Sequence, residues 1–205
     1  SLLVNPSISM TIEGNVENGS RIIMEDTEDN DNQMFYMYDI SDENKTKDNG
    51  MYEILVSADS VKSLEVVGSN TANNADVGIW NYGNVPAQRF ELEYMGGFYK
   101  ITATHTEKAL TVKDGNISEG VQIVQYDYQG LNSQKWVLRD TNKNGWVISP
   151  LYNLNLAITV QGNIANGSKI ILSNTQDNAN QTFLLVQTVN VGKTRENGTY
   201  NLAVG

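Results

Sequence analysis

Gln134-Lys135-Trp136 is one of four Gln-x-aromatic triplets in the chain, with Gln33-Met34-Phe35, Gln88-Arg89-Phe90 and Gln181-Thr182-Phe183. Successive triplets are 55, 46 and 47 residues apart. A second marker keeps nearly the same step. It is an apolar pair around one residue, at Met10-Thr11-Ile12, Leu64-Glu65-Val66, Leu110-Thr111-Val112 and Ile158-Thr159-Val160, with spacings of 54, 46 and 48. A third is a turn pair, Asn18-Gly19, Asn73-Asn74, Glu119-Gly120 and Asn166-Gly167, at intervals of 55, 46 and 47. Such pairs tolerate the positive φ of tight hairpin turns. Three residue classes sharing one period indicate internal repetition, with a unit of about 47 residues.

Within each unit the pattern is β. Strands are expected in the second unit at 52–56, 63–67, 77–80 and 88–93, in the third at 98–103, 109–112, 121–126 and 134–138, and in the fourth at 146–149, 156–160, 169–172 and 181–186. Apolar residues alternate along these runs, Gly, Asn and Asp separate them, and no helical periodicity competes. A four-stranded unit of this size cannot bury its apolar face alone, so several units must share a core. Spacing admits a pseudo-threefold barrel with a hairpin lid or a propeller. Propeller blades of about 40–45 residues usually carry Gly-His and Trp-Asp signals, which are missing.

The longer first step marks a boundary. Its extra residues, 39–50, are polar and charged and read as a linker. The stretch 190–198 has the same character. Phe35 to Tyr52 and Phe183 to Tyr200 are both 17 residues, so a period of 148 sits above the short one. The organisation expected is therefore residues 1–37 as the third repeat of a preceding trefoil, 38–49 as linker, 50–188 as a complete trefoil, 189–197 as linker, and 198–205 as the first strand of a following trefoil. A unit as short as 1–37 should not fold alone. It is expected to pack on the complete domain or on another copy, or to borrow a first strand from residues 200–204.

Composition narrows the partners. The 205 residues carry a formal charge of -10, with 14 basic side chains and no cysteine. That charge opposes nucleic acid and anionic membrane surfaces, and no basic run offsets it. No stretch approaches the roughly eighteen apolar residues of a membrane-spanning helix. Disulfides and thiolate chemistry are excluded. Residue 1 is Ser and no basic, apolar leader follows, so the chain reads as a mature, proteolysed or recombinant fragment, which leaves secretion open.

Leu-x-Val, then Gly, then a turn, then a β-run ending in an aromatic, then Gln-x-Trp/Phe resembles the ricin B-type β-trefoil lectins. The likeness is closest to cysteine-free tandem modules of secreted bacterial surface proteins, toxins and glycoside hydrolases. The resemblance implies an all-β, β-trefoil fold, a secreted or cell-surface location and glycan binding as an accessory module of a larger protein. Other modules of that protein are then further partners, with no nucleic acid, no membrane insertion, no cofactor and no catalysis. A protein-interaction or spacer module without sugar binding is the alternative. In the family the Gln-x-Trp motif is chiefly structural, its Gln tying backbone near the end of the unit and its aromatic filling the core.

The resemblance also locates pockets. An Asp between Leu and Val accepts sugar hydroxyls, an aromatic ending the third strand stacks on the ring, and an Asn before the Gln completes the site. The second repeat has Glu65, Trp80 and Ala87 at these positions, with Gln88, and Asn81, Tyr82 and Asn84 are expected as replacement contacts. The third has Thr111, Tyr126 and Ser133, with Gln134, and Asp114, Asp127 and Tyr128 are expected to compensate. The fourth keeps Asn180 but has Thr159 and Ser173, and the first keeps Asn32 with Thr11 and Glu25, so neither offers a stacking ring. No repeat keeps the whole pocket, so sites are expected to be individually weak and to rely on avidity.

Other motifs yield little. Asp140 to Gly145 opens like a calcium loop, yet the twelfth position is Leu151, so a polar turn is expected. The acidic run 25–31 reads as a solvated loop. His105 is the one histidine and has no thiol or imidazole partner for zinc.

Overall fold

The structure is a computed structural model and describes residues 8–13, 21–28, 33, 45–142 and 145–188. Expectations at Asn18-Gly19, 29–32, Met34-Phe35, the linkers at 38–44 and 189–197, and the strand at 198–205 lie outside these residues. The chain divides into two compact units, Ser1–Asp39 and Ile40–Gly205. In the first, β1 (Ile8–Ile12) and β2 (Ile22–Asp26) form an antiparallel hairpin pairing Met10 with Met24.

Among its described residues the second unit holds twelve strands. The second repeat supplies β3 (Gly50–Val56), β4 (Asp59–Val66), β5 (Ala75–Asn81) and β6 (Arg89–Tyr94). The third supplies β7 (Tyr99–Ala103), β8 (Lys108–Val112), β9 (Ile123–Tyr126) and β10 (Trp136–Asp140). The fourth supplies β11 (Trp146–Pro150), β12 (Leu156–Val160), β13 (Ile170–Asn174) and β14 (Phe183–Gln187). The outer strands of each repeat close a six-stranded barrel, pairing in the ring β3–β6–β7–β10–β11–β14–β3. The inner pairs β4–β5, β8–β9 and β12–β13 are hairpins. This is a β-trefoil, as expected, and closure removes the exposed sheet edges of an open sheet.

The core follows the motif. Phe90, Trp136 and Phe183 are all fully buried, as are Leu64, Val66, Leu110, Val112, Ile158 and Val160. Trp136 also donates its indole N–H to the Leu110 carbonyl at 3.0 Å, so its one polar atom is satisfied. The turn marker is equally physical: Asn74, Gly120 and Gly167 take φ of 63°, 81° and 84°.

The main departure is at the glutamines. Gln88, Gln134 and Gln181 precede their strands instead of starting them. Each backbone N–H donates three residues back, to Val85, Leu131 and Asn178 respectively, at 3.0 Å. A strand residue would aim its side chain across the sheet; the turn lets the amide fold back into its own repeat.

Candidate functional site

Each repeat builds the same floor beneath its pocket position. Gln134 Nε2 donates to Thr111 Oγ1 (3.1 Å) and to the Asp127 carbonyl (2.9 Å), while its Oε1 accepts from Gln129 N–H (2.8 Å). Gln181 does this with Thr159, Asn174 and Gln176, and Gln33 with Thr11, Asp26 and Glu28. In the second repeat Gln88 donates to the Glu65 carboxylate (2.8 Å) and the Asn81 carbonyl (2.9 Å), and accepts from Gly83. Gln88 and Gln134, expected at the sugar sites, are buried and have both amide hydrogens committed internally. They shape the floor and leave the rim to present polar groups.

The repeats meet along a seam with its own threefold logic. The residue after each pocket position is tied to a turn of a different repeat, directly at Asp127 and Asn174 and through Lys62 at Asn81. Asn73 Nδ2 donates to Asp127 Oδ2 at 2.8 Å, and Asp127 N–H returns a bond to Asn73 Oδ1. Lys108 completes the cluster through an ion pair with Asp127. The Lys108 and Asn73 hydrogen bonds hold the Asp127 carboxyl below its usual range, although burial opposes them. The fourth repeat uses Glu119 on Ser173 and Asn174, and the second uses Lys62 bridging Asn81 and Asn166. Asp127, expected as a sugar contact, is therefore occupied as a seam residue.

The second repeat presents Trp80 at the end of β5 with 39% of its surface exposed. Gly167, from the fourth repeat's turn, comes against the ring so closely that an added Cβ would lie 3.5 Å from it. The residues expected as replacement contacts are already partnered. Tyr82 donates its hydroxyl to Glu53 (2.9 Å), Asn81 is held by Lys62, and Asn84 is held by Arg89. Burial, with the Glu53 bond behind it, raises the Tyr82 phenol above its ordinary range.

The third repeat has a cavity of about 260 Å³ at the pocket position. Tyr126, Thr111, Asp114, Ser133 and Gln134 line it, together with Asn74, Gln129 and Leu131. Thr111 has its hydroxyl hydrogen committed to the Ala109 carbonyl (2.8 Å) while its oxygen accepts from Gln134. Tyr128 stands apart under the Lys100 ammonium, 5.3 Å from the ring centre. Asn74, Gln129 and Leu131 escaped the sequence reading. Asn74 belongs to the second repeat and arrives across the seam, beside Asn73.

The remaining motifs resolve simply. Asp140 accepts from Asn142 N–H and Thr141 bonds to the Gly145 carbonyl, which makes a hairpin turn of the calcium-like stretch. Among the described residues no three acids or histidines cluster to hold a metal. Both His105 nitrogens are buried, and among the described residues neither makes a hydrogen bond of good geometry. That burial lowers the imidazole below its ordinary value, with Asn70 and Glu65 nearby and opposing.

A family model, the ricin-type β-trefoil lectin domain-like family, matches residues 31–126 and 86–173. Among solved structures, a designed threefold-symmetric protein, ThreeFoil, is 27% identical with a TM-score of 0.64, covering 68% of this chain and 99% of its own. An exo-β-1,3-galactanase from Clostridium thermocellum is 26% identical with a TM-score of 0.64, over 69% of this chain but 31% of the enzyme. The C-half of an earthworm R-type lectin, in complex with GalNAc, shares the fold at 17% identity and a TM-score of 0.55, covering 68% of this chain and 99% of that one. No curated protein matches the chain significantly. With the trefoil closed and the model spanning most of its length, the chain belongs to the ricin-type β-trefoil lectin domain-like family.

Proposed function

We propose that the chain is a carbohydrate-binding, lectin-like accessory module, non-catalytic itself, that carries a larger secreted or cell-surface bacterial protein to glycans. The observation that carries this reading is the third-repeat cavity, where Tyr126 stands beside Asp114, Asn74 and Ser133 at the family's pocket position. An aromatic face suits the apolar C–H patch of a sugar, and convergent polar groups suit its hydroxyls. Two proteins that share the fold, a Macrolepiota procera ricin B-like lectin and the earthworm lectin C-half, bind lactose and GalNAc respectively, which supports the same chemistry here. Trp80 offers a second, shallower platform beside Glu65 and Gln88, with Asn81, Tyr82 and Asn84 on its rim, so multivalent display should raise apparent affinity.

The domain organisation is part of the proposal. Residues 1–37 are read as the third repeat of another trefoil, because the β1–β2 hairpin and the Gln33 bond set repeat the plan around Gln134. Residues 50–188 are the complete module, and 38–49 and 189–197 connect it to neighbours.

A protein-interaction role is the second reading. It is favoured at the second repeat, where Val61, Trp80, Tyr82 and Val85 are all exposed apolar side chains. A glycan array probed with the multivalent chain, beside Tyr126→Ala and Trp80→Ala, tests between them. The lectin reading expects wild-type retention on neutral glycans, lost mostly in Tyr126→Ala. No retention at high multivalency would leave the interaction reading standing.

A further inference from the structure

The three repeats of the second unit are built alike, so differences between equivalent positions show where one has been modified. After the second strand of each repeat lies a left-handed backbone position, occupied by Gly68 (φ 65°), Asp114 (φ 55°) and Gly162 (φ 71°). The turn that borders each pocket from a different repeat holds another, occupied by Gly167 at the second repeat, Asn74 at the third and Gly120 at the fourth. Both positions favour glycine because a Cβ crowds the backbone there. At the third repeat alone both carry polar side chains, and both line the cavity. Among the described residues, neither side chain makes a hydrogen bond or an ion pair.

The third difference is at the position before the motif glutamine. In the fourth repeat Asn180 Nδ2 donates to the carbonyls of Val160 (2.8 Å) and Gly162 (2.6 Å), tying the loop across the pocket. In the third repeat this residue is Ser133, one bond too short for that tie. Ser133 is 3% exposed, lines the cavity, and its buried Oγ has no hydrogen-bond partner. A buried hydroxyl without a partner costs stability unless a ligand or water supplies one. Shortening Asn to Ser accounts for the open space, and the unmet hydroxyl marks its floor.

We infer that the third-repeat cavity is the chain's principal saccharide site, remade around Asn74, Asp114 and Ser133, and that it takes the uncharged end residue of a glycan. The inference rests on the lectin reading and adds the acceptor, the opening device and the ligand class. Asp114 supplies the carboxylate acceptor that Thr111, its hydroxyl hydrogen spent on the Ala109 carbonyl, does not. Asn74 supplies a donor and an acceptor from the opposite wall, and a hydroxyl on the sugar meets Ser133. A carboxylate-bearing sugar is disfavoured, because Asp114 is the one charged side chain lining the cavity and the chain's net charge is -10.

The test restores the residues of the other repeats. Asp114→Gly, Asn74→Gly and Ser133→Asn each copy an equivalent position, so melting temperatures should hold or rise. Calorimetric titration of the 205-residue chain and each variant would use the methyl glycosides of galactose, glucose, mannose and N-acetylgalactosamine, with methyl glucuronide as the acidic probe. The expected result is millimolar-range binding of at least one neutral glycoside. Asp114→Gly and Ser133→Asn should weaken it at least tenfold, Asn74→Gly a few-fold, and the glucuronide should bind at least tenfold more weakly. Unchanged affinity in Asp114→Gly and Ser133→Asn, with loss in Trp80→Ala, would overturn this inference while leaving the lectin reading intact. So would a glucuronide that binds as well as the neutral sugars. Wild-type binding to none of the four would overturn both.

Discussion

The second and third repeats share a scaffold and differ at the rim. Both hold a motif aromatic in the core, both fold a glutamine back to tie strand, loop and turn, and both place an aromatic at the pocket. In the second repeat the loop after Trp80 satisfies itself through Glu53, Lys62 and Arg89, and Glu65 binds the glutamine. In the third, Thr111 spends its hydroxyl hydrogen on the Ala109 carbonyl, and the polar groups without an internal partner are those of Asp114, Asn74 and Ser133. The lesson is that a repeat protein can keep its fold in every copy while the polar groups at the pocket rim change from one copy to the next.

That comparison can be broken at its shared part. Trp136→Ala should be the most damaging change, costing about 3–5 kcal/mol, because it empties a fully buried site and removes the bond to the Leu110 carbonyl. Chemical denaturation would measure it, and a loss under about 1 kcal/mol would deny the aromatic its core role. Next come the glutamines. Gln134→Ala should cost about 2–3 kcal/mol by stranding the Gln129 N–H and two oxygens. Gln88→Ala should cost somewhat more, because its bond to Glu65 is charge-assisted. Equal losses would mean that the Glu65 contact adds nothing.

Smaller changes sharpen the rim. Gly167→Ala should cost about 1 kcal/mol through its positive φ and press a methyl toward Trp80. The equivalent position in the third repeat already holds Asn74, so Asn74→Gly should gain stability. The smallest effect is on pH. Burial lowers the His105 imidazole in the folded chain, so the unfolded chain takes up its proton first as the pH falls through 6.5. Stability contributed by neutral His105 is therefore present above that value and lost below it. His105→Gln should flatten this part of the stability profile, measured as melting temperature from pH 7.5 to 5.5.

The fold was legible because its period sits in residues with one physical job each. Phe90, Trp136 and Phe183 fill the core, the apolar pairs line it, and Asn74, Gly120 and Gly167 turn the hairpins. The glutamines were misplaced by a few residues, since alternation continues through them and hides the turn that lets the amide fold back. The site was legible only where its residues belong to one repeat, as Tyr126 and Asp114 do. Asn74 comes across the seam from a turn 52 residues before Tyr126, and no local pattern predicts that meeting. A signal was present nonetheless: Asn73-Asn74 is the one turn pair of the four whose second residue is not glycine. Asp127 shows the opposite case, a carboxylate beside a pocket aromatic whose partners Lys108 and Asn73 are invisible in the local sequence.

The central claim, that binding chemistry has concentrated in the third repeat, is tested most directly by a backbone amide NMR titration of the labelled chain with the neutral glycosides. The account predicts saturable shifts confined mainly to Asn74, Asp114, Tyr126 and Gln129, with weaker changes near Trp80. Shifts centred on Trp80 and Gly167 with the third repeat silent, or no saturable shifts at all, would contradict it.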